Sequence, residues 1–200
     1  VPFGATFLVF ADYLRPSIRL AALMQIPSIF VFTHDSVFVG EDGPTHQPVE
    51  HIQSLRNIPN LLVLRPGDAE ESVEAWKLAI KQKSRPSALL FTRQNVEVYA
   101  KPSDWKEQFQ NGAYVVLDSD SKPEVVLVAT GSEVGLALEA AKQIDKSVRV
   151  VSIPSLELYR SLSRDQREVI IPSSAQVIAV EAGISAAWYG IASDEESMVG

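Results

Sequence analysis

The sequence contains no cysteine, so no disulfide framework braces it. That composition is compatible with a cytoplasmic setting. No apolar run approaches the roughly 20 residues that a membrane-spanning helix needs, which removes helical membrane proteins from consideration. Positive charge is in deficit: 18 Lys and Arg stand against 25 Asp and Glu, for a net charge of −7. General binding to nucleic acid or to an anionic membrane is thereby disfavoured, while a small basic pocket for a phosphate is not. No Met opens the chain, and VPFGATF has neither a basic start nor a cleavage pattern, so it is not read as a signal peptide. The expectation is a cut through a longer protein, truncated again at Met198-Val199-Gly200 within an α/β unit. No low-complexity tract and no convincing internal repeat is visible.

What is present is a globular composition, 46% hydrophobic and 22% charged over 200 residues, enough for one large or two modest domains. Phe7, Phe10 and Tyr13 recur every three residues and fall along one side of a helical or near-helical turn; such a stripe is commonly core. Pro16 suits the first turn of a new helix, whose apolar face runs through Ile18, Leu20, Ala21, Leu23 and Met24. Pro27 ends it, and residues 28–33 read as a buried strand. A short helix follows over 49–58, then a strand over 61–64, and Arg65-Pro66-Gly67 turns the chain. Asp68 and Glu71 form a capping-box pattern ahead of a helix with Val73, Trp76, Leu78 and Ile80 on its apolar side. A strand over 87–91 leads to Thr92-Arg93-Gln94. This alternation predicts an α/β fold with a parallel sheet, in which ligands gather beyond the carboxyl ends of the strands.

Residues 96–111 are more polar and read as a linker or docking segment, pinned by Trp105 and Phe109. A second alternation follows, with strands over 113–117, 125–129, 148–153 and 177–180. Thr130 and Glu133 form another capping-box pattern, and Gly131 there is read as structural rather than as an anion site. The segment 156–170 is read as partly helical. The expected organisation is two parallel-sheet α/β domains: 1–95, truncated at its start; a linker, 96–111; and 112–200, truncated at its end.

The stretch Thr33–Glu50, THDSVFVGEDGPTHQPVE, stands apart. The protein's 3 histidines, His34, His46 and His51, lie in it or one residue beyond. Asp35, Glu41, Asp42 and Glu50 are interleaved with them, and Gly40, Gly43 and Pro44 punctuate the middle. A long loop at the end of a buried strand is more often functional than a mere connector. The residues fit a solvated acidic turn, a metal site, or a site for a polyhydroxy or phosphorylated substrate served by imidazoles near neutral pH. Spacing speaks against the metal, because no two of these histidines share a helix face and no cysteine joins them.

HDSVFVGEDGPTHQPVEH resembles the substrate-channel sequence of transketolases. The resemblance extends through GATFLVFADYLRPSIRLAAL, LRPGDAEESVEAWKLA, LLFTRQN, VVLVATGSEVGLALEAA and VIAVEAG, nearly the whole chain. It implies a thiamine-diphosphate enzyme's pyrimidine-binding domain followed by part of its C-terminal domain. The family transfers a two-carbon ketol unit between sugar phosphates, uses Mg²⁺, and works as a homodimer or, where divided, with a separate N-terminal subunit. By that resemblance Phe7, Phe10 and Tyr13 line the pyrimidine pocket, and His46 faces the reacting carbon and its hydroxyls. Asp42 accepts from a substrate hydroxyl, and His34 and Arg93 hold the phosphate. The family's activating glutamate falls upstream of this chain, and nothing here matches its diphosphate and Mg²⁺ motif, so no metal ligand is assigned and the chain alone is expected to be inactive. Phe38 stands where the family commonly carries a small residue. Related readings are deoxyxylulose-phosphate synthase, the β subunit of a 2-oxo acid dehydrogenase, or a non-catalytic module of the same fold.

Overall fold

A computed structural model describes residues 1–200. Two sheets organise them. The first has the order β1-β2-β4-β3, all parallel, from Phe3–Phe7 (β1), Ile29–Thr33 (β2), Leu62–Leu64 (β3) and Ser87–Leu90 (β4). The helices Ala11–Leu23 (α1) and His51–Arg56 (α2) cover one face, and Ala69–Lys81 (α3) covers the other. Strand alternation divides the core between these faces: Phe32 and Leu90 pack with Leu8, Ile18 and Leu55, whereas Val31 and Leu89 pack with Ala75 and Leu78. Strand β1 is an exposed edge whose burial begins only at Thr6, so no alternation marks it in the sequence.

Helix α1 begins at Ala11, so Pro16 lies inside it and not in its first turn as expected. The helix tolerates this because Pro16 sits on the exposed side, where the lost backbone bond leaves a carbonyl that water can reach. Asp68 caps α3 by accepting from Glu71 N at 2.9 Å. The return half of the expected box is displaced by one residue, since the Glu71 carboxylate accepts from Gly67 N at 2.7 Å.

Between β4 and the second sheet, Trp105–Phe109 forms a short helix (α4) whose Trp105 and Phe109 are buried against Tyr114. The buried Lys101 ammonium holds the segment to α3 through Asp68 and Glu70. These contacts pin the segment to the first sheet.

The second sheet has the order β5-β7-β6-β8-β9, from Tyr114–Leu117 (β5), Val125–Ala129 (β6), Val148–Ser152 (β7), Gln176–Val180 (β8) and Met198–Val199 (β9). Its strands are parallel except β5, which runs antiparallel to β7 and departs from the all-parallel expectation. An antiparallel edge needs no crossover helix, and β5 enters directly from α4. Glu133–Ala141 (α5) packs one face, and Leu156–Ser161 (α6) and Arg164–Ile170 (α7) follow β7. The expected Thr130–Glu133 capping box does not form. Thr130 Oγ1 donates to Arg65 O at 3.1 Å, and the Glu133 carboxylate accepts from Arg65.

The two halves meet around two buried polar clusters. Glu71, fully buried on α3, accepts from Tyr99 Oη (2.6 Å), Tyr114 Oη (2.6 Å) and Ser152 Oγ (2.8 Å) as well as from Gly67 N. Burial pushes its carboxyl above the ordinary 4.5 against the pull of these donors. Burial and the adjoining Glu71 also raise Tyr99 and Tyr114, which keeps both phenols protonated as donors. The second cluster centres on Arg65 and is described below.

Candidate functional site

The parallel register pairs Phe7 with Thr33, so the residues that follow β1 and β2 emerge side by side at the carboxyl end of the sheet. His34, the first residue past β2, adopts φ +59°, a left-handed conformation uncommon for a side-chain-bearing residue. This turn lays its ring on Phe7, with centroids 3.8 Å apart and planes 26° from parallel. Phe7 in turn stacks near-parallel to Phe10 at 6.2 Å. Phe10 neighbours Tyr13 at 6.2 Å and takes His46 edge-on at 5.6 Å. Two imidazoles from the loop and three rings from the β1–α1 turn thus form one continuous array. The turn itself is a short 3-10 segment, Leu8–Phe10, which leads into α1 and spaces the three rings along one side.

Beside the array lies a mainly apolar cavity of about 530 Å³, lined by Phe10 and Tyr13 together with Phe3, Thr6, Leu14 and Phe30. Tyr13 is 82% exposed although aromatic, an arrangement that offers a ring face to a ligand or partner. His34 Nδ1 lies 3.0 Å from Thr33 Oγ1, and His46 Nδ1 lies 2.9 Å from Thr45 Oγ1. In the tautomer whose Nδ1 accepts from the threonine hydroxyl, Nε2 is the N–H donor of the ring.

Arg93, three residues beyond β4, returns to the loop: a Cβ added at Gly40 would lie 3.3 Å from Arg93 Cζ. Gly40 has φ +86°, so glycine there satisfies both the turn and the guanidinium packed upon it. Arg93 and Asp42 are both exposed. The structure therefore brings Phe7, Phe10, Tyr13, His34 and His46 into direct contact, and Arg93 onto the loop two residues before Asp42. No ring or ion-pair contact joins Asp42 or Arg93 to the array. His51 lies apart from it: buried, it holds Asp12 Oδ2 at 3.2 Å and ties α2 to α1. Phe38 is accommodated in a 3-10 turn, Val37–Val39, with its ring 57% exposed and Gln47 Nε2 donating to Val37 O at 2.9 Å. No group of three or more His, Asp or Glu side chains converges in a way that could hold a metal ion.

Sequence reasoning did not find Arg65. Read as part of a turn, it is completely buried at the end of β3. Its Nε donates to Asp35 Oδ2 at 2.7 Å, and its Nη1 donates to Thr130 O at 3.0 Å and to the Glu133 carboxylate. Glu181 Oε1 lies 3.7 Å from Nη1 and is also gripped bidentately by Arg56, at 2.7 and 2.8 Å. Burial works to lower the Arg65 pKa, but Asp35, Glu133 and Glu181 together outweigh it and hold the guanidinium charged. For Glu181, burial works upward, and Arg56, Arg65 and the Trp188 indole hold the carboxyl below its ordinary 4.5. Only an arginine following an apolar strand hinted at this cluster, and that signal is weak.

The profile of the transketolase pyrimidine binding domain matches residues 1–98, and that of the transketolase-like C-terminal domain matches residues 112–200. The transketolase of Treponema pallidum (strain Nichols) is 51% identical over 199 residues, covering 98% of this chain and 30% of its own length. Among solved structures, the transketolase from Leishmania mexicana superposes with a TM-score of 0.92 at 43% identity, covering 96% of this chain and 29% of that one. A structure described as a split gene transketolase, inactive beta4 tetramer, superposes with a TM-score of 0.75 at 26% identity, covering 100% of this chain and 65% of that one. The chain thus spans about 30% of the length of the curated relatives it matches.

Proposed function

Because this chain belongs to the transketolase family, we propose that it supplies the pyrimidine-binding and sugar-phosphate-binding side of an enzyme that moves a two-carbon ketol unit between sugar phosphates. The observation that carries this reading is the array His34–Phe7–Phe10–Tyr13 with His46 at the carboxyl end of a parallel sheet, beside a cavity of about 530 Å³ that runs along β1. Thiamine diphosphate, when bound, supplies the nucleophilic carbon and the electron sink for breaking a bond beside a ketone. The residues fit its pyrimidine: Phe10 and Tyr13 line the cavity, whose walls are largely apolar, and Phe7 stacks on Phe10 without lining it. They do not fit Mg²⁺, since no three ligands converge, and no cationic side chain lines the cavity for the diphosphate. In this reading another part of the assembly holds both.

His46 holds or moves a proton at a hydroxyl next to the reacting carbon, a task that suits an imidazole N–H backed by Thr45. Asp42, exposed on the loop, accepts from a further hydroxyl and so discriminates among sugar configurations. His34 and Arg93 hold the phosphate, Arg93 with its planar fork of donors. The division into 1–95, 96–111 and 112–200 belongs to the same reading, as do cytoplasmic localisation and a role in pentose phosphate interconversion. So does assembly as a homodimer of a longer chain, or with a separate N-terminal subunit. The relative described as a split gene transketolase, inactive beta4 tetramer, supports the second form of assembly and inactivity of the chain alone.

The test is to assemble the chain, in cis or in trans, with the segment that completes the family's length. Ketol transfer from a ketose phosphate to an aldose phosphate is then measured with thiamine diphosphate and Mg²⁺. Turnover by the assembly is expected. An assembly that binds the cofactor but turns over only 2-oxo acids would overturn the reading in favour of a related thiamine enzyme.

A further inference from the structure

We propose that Arg65 is a positioning residue for the substrate loop: it anchors Asp35, and with it the left-handed turn at His34, at a place set by carboxylates of the second α/β half. The inference rests on the functional reading above only where His34 is taken to face a phosphate.

Residue His34 adopts a backbone conformation that a side chain with a Cβ disfavours, so its neighbours must hold it there. Two contacts act on the ring, the stack on Phe7 and the pairing with Thr33. The following residue supplies the third hold. Asp35 is 1% exposed, and Arg65 is the side chain that engages its carboxylate. A buried carboxylate is costly unless paired, so Asp35 goes where the guanidinium is.

The second half in turn fixes that guanidinium. Arg65 N donates to Pro154 O at 2.8 Å, and Arg65 O accepts from Gly131 N and Thr130 Oγ1, each at 3.1 Å. The side chain is held by Glu133 and by Thr130 O. A Cβ on Gly131 would lie 2.6 Å from Arg65 Cζ, so glycine at φ +62° makes room for the guanidinium. The other end of the loop is held from the same side. Ile184 N donates to Val49 O at 3.3 Å, and Glu181 grips Arg56 of α2. A half of the chain that contributes none of the candidate site residues therefore clamps both ends of the loop that carries three of them.

Two conservative variants test the assignment: Glu133→Gln, which removes a charge from the second half without changing shape, and Arg65→Lys, which keeps the charge but loses the fork. Glu139→Gln on the exposed side of α5 is the control. The chain has only 3 histidines, so their ring resonances can be followed individually by NMR after histidine labelling. Thermal melts establish that each variant folds. The His34 resonances are expected to move in both variants and not in the control, while those of His51, held by Asp12, stay in place. In the completed enzyme, KM for a phosphorylated acceptor should rise about tenfold with kcat nearly unchanged, the signature of weakened ground-state binding. Folded variants with unmoved His34 resonances would overturn the proposal. Moved resonances with equal kinetics on phosphorylated and unphosphorylated acceptors would uphold the linkage and remove His34 from the phosphate.

Discussion

Replacing Arg93 by alanine separates a binding role from a structural one, because the structure predicts opposite sizes for the two effects. Arg93 is exposed and packs on Gly40, whose position an added Cβ would share at 3.3 Å from Arg93 Cζ. Removing it leaves no buried partner unpaired, so the melting free energy should change by no more than about 0.5 kcal/mol. If the guanidinium meets a phosphate, the lost charge-assisted contact is worth roughly 1.5–3 kcal/mol. That corresponds to a rise of about tenfold to a hundredfold in KM for phosphorylated acceptors. An unphosphorylated acceptor of the same configuration makes no such contact and should be nearly unaffected. Arg93→Lys should fall between, since a lysine keeps the charge but not the fork. The assay is steady-state kinetics of the completed enzyme on the two acceptors, with a thermal melt of each variant. Equal loss on both acceptors would refute the phosphate assignment and leave Arg93 as a tether of the loop.

Tyr13→Ala should leave stability within about 0.5 kcal/mol, because the ring is 82% exposed, yet should weaken thiamine diphosphate binding by the assembly; titration with the cofactor checks this, and unchanged affinity would remove Tyr13 from the pocket. Gly131→Ala should destabilise by at least about 2 kcal/mol, since it combines left-handed strain with a collision on a buried guanidinium; a denaturant melt measures it. Glu181→Gln should cost about 3 kcal/mol near neutrality by weakening a buried ion pair. Because the Glu181 carboxyl is held below 4.5 in the fold, its contribution is present above that value and is lost as pH falls through the lowered one. The variant should therefore show a shallower fall in stability on the acid side, and an unchanged acid limb would count against the pairing.

The strands that could be read from the sequence are those buried on both faces. Residues 28–33, 87–91 and 125–129 are short apolar runs between breakers, and each became a strand at nearly those limits. Strand β1 was not legible, because Phe3, Gly4 and Ala5 are exposed at a sheet edge and follow no alternation. The direction of β5 was not legible either, since direction is set by the connection and not by the strand's own residues. Pro16 misled in the same way: a propensity rule placed a helix start where tertiary packing carried one helix through.

The candidate site divides along similar lines. The histidines stood out because loops and turns place few constraints on residue type, so imidazoles among glycines are conspicuous, whereas the aromatic triplet read as core and entered the candidate site only through the family resemblance. What could not be found is what holds them. Asp35 was one of several acids in a polar stretch, and Arg65 sat in what reads as an ordinary Arg-Pro-Gly turn. Their meaning depends on Thr130, Gly131 and Glu133, some sixty residues further on, whose pattern Thr-Gly-Ser-Glu reads equally well as a helix cap. A cap needs only its own helix, whereas an ion cluster needs the packing of two halves, which local spacing does not encode. The choice between them is energetic. With Arg65 completely buried, an uncompensated guanidinium would cost several kcal/mol, more than the roughly 1 kcal/mol a cap returns. The Glu133 carboxylate therefore goes to the arginine, and the helix start goes without its side-chain cap.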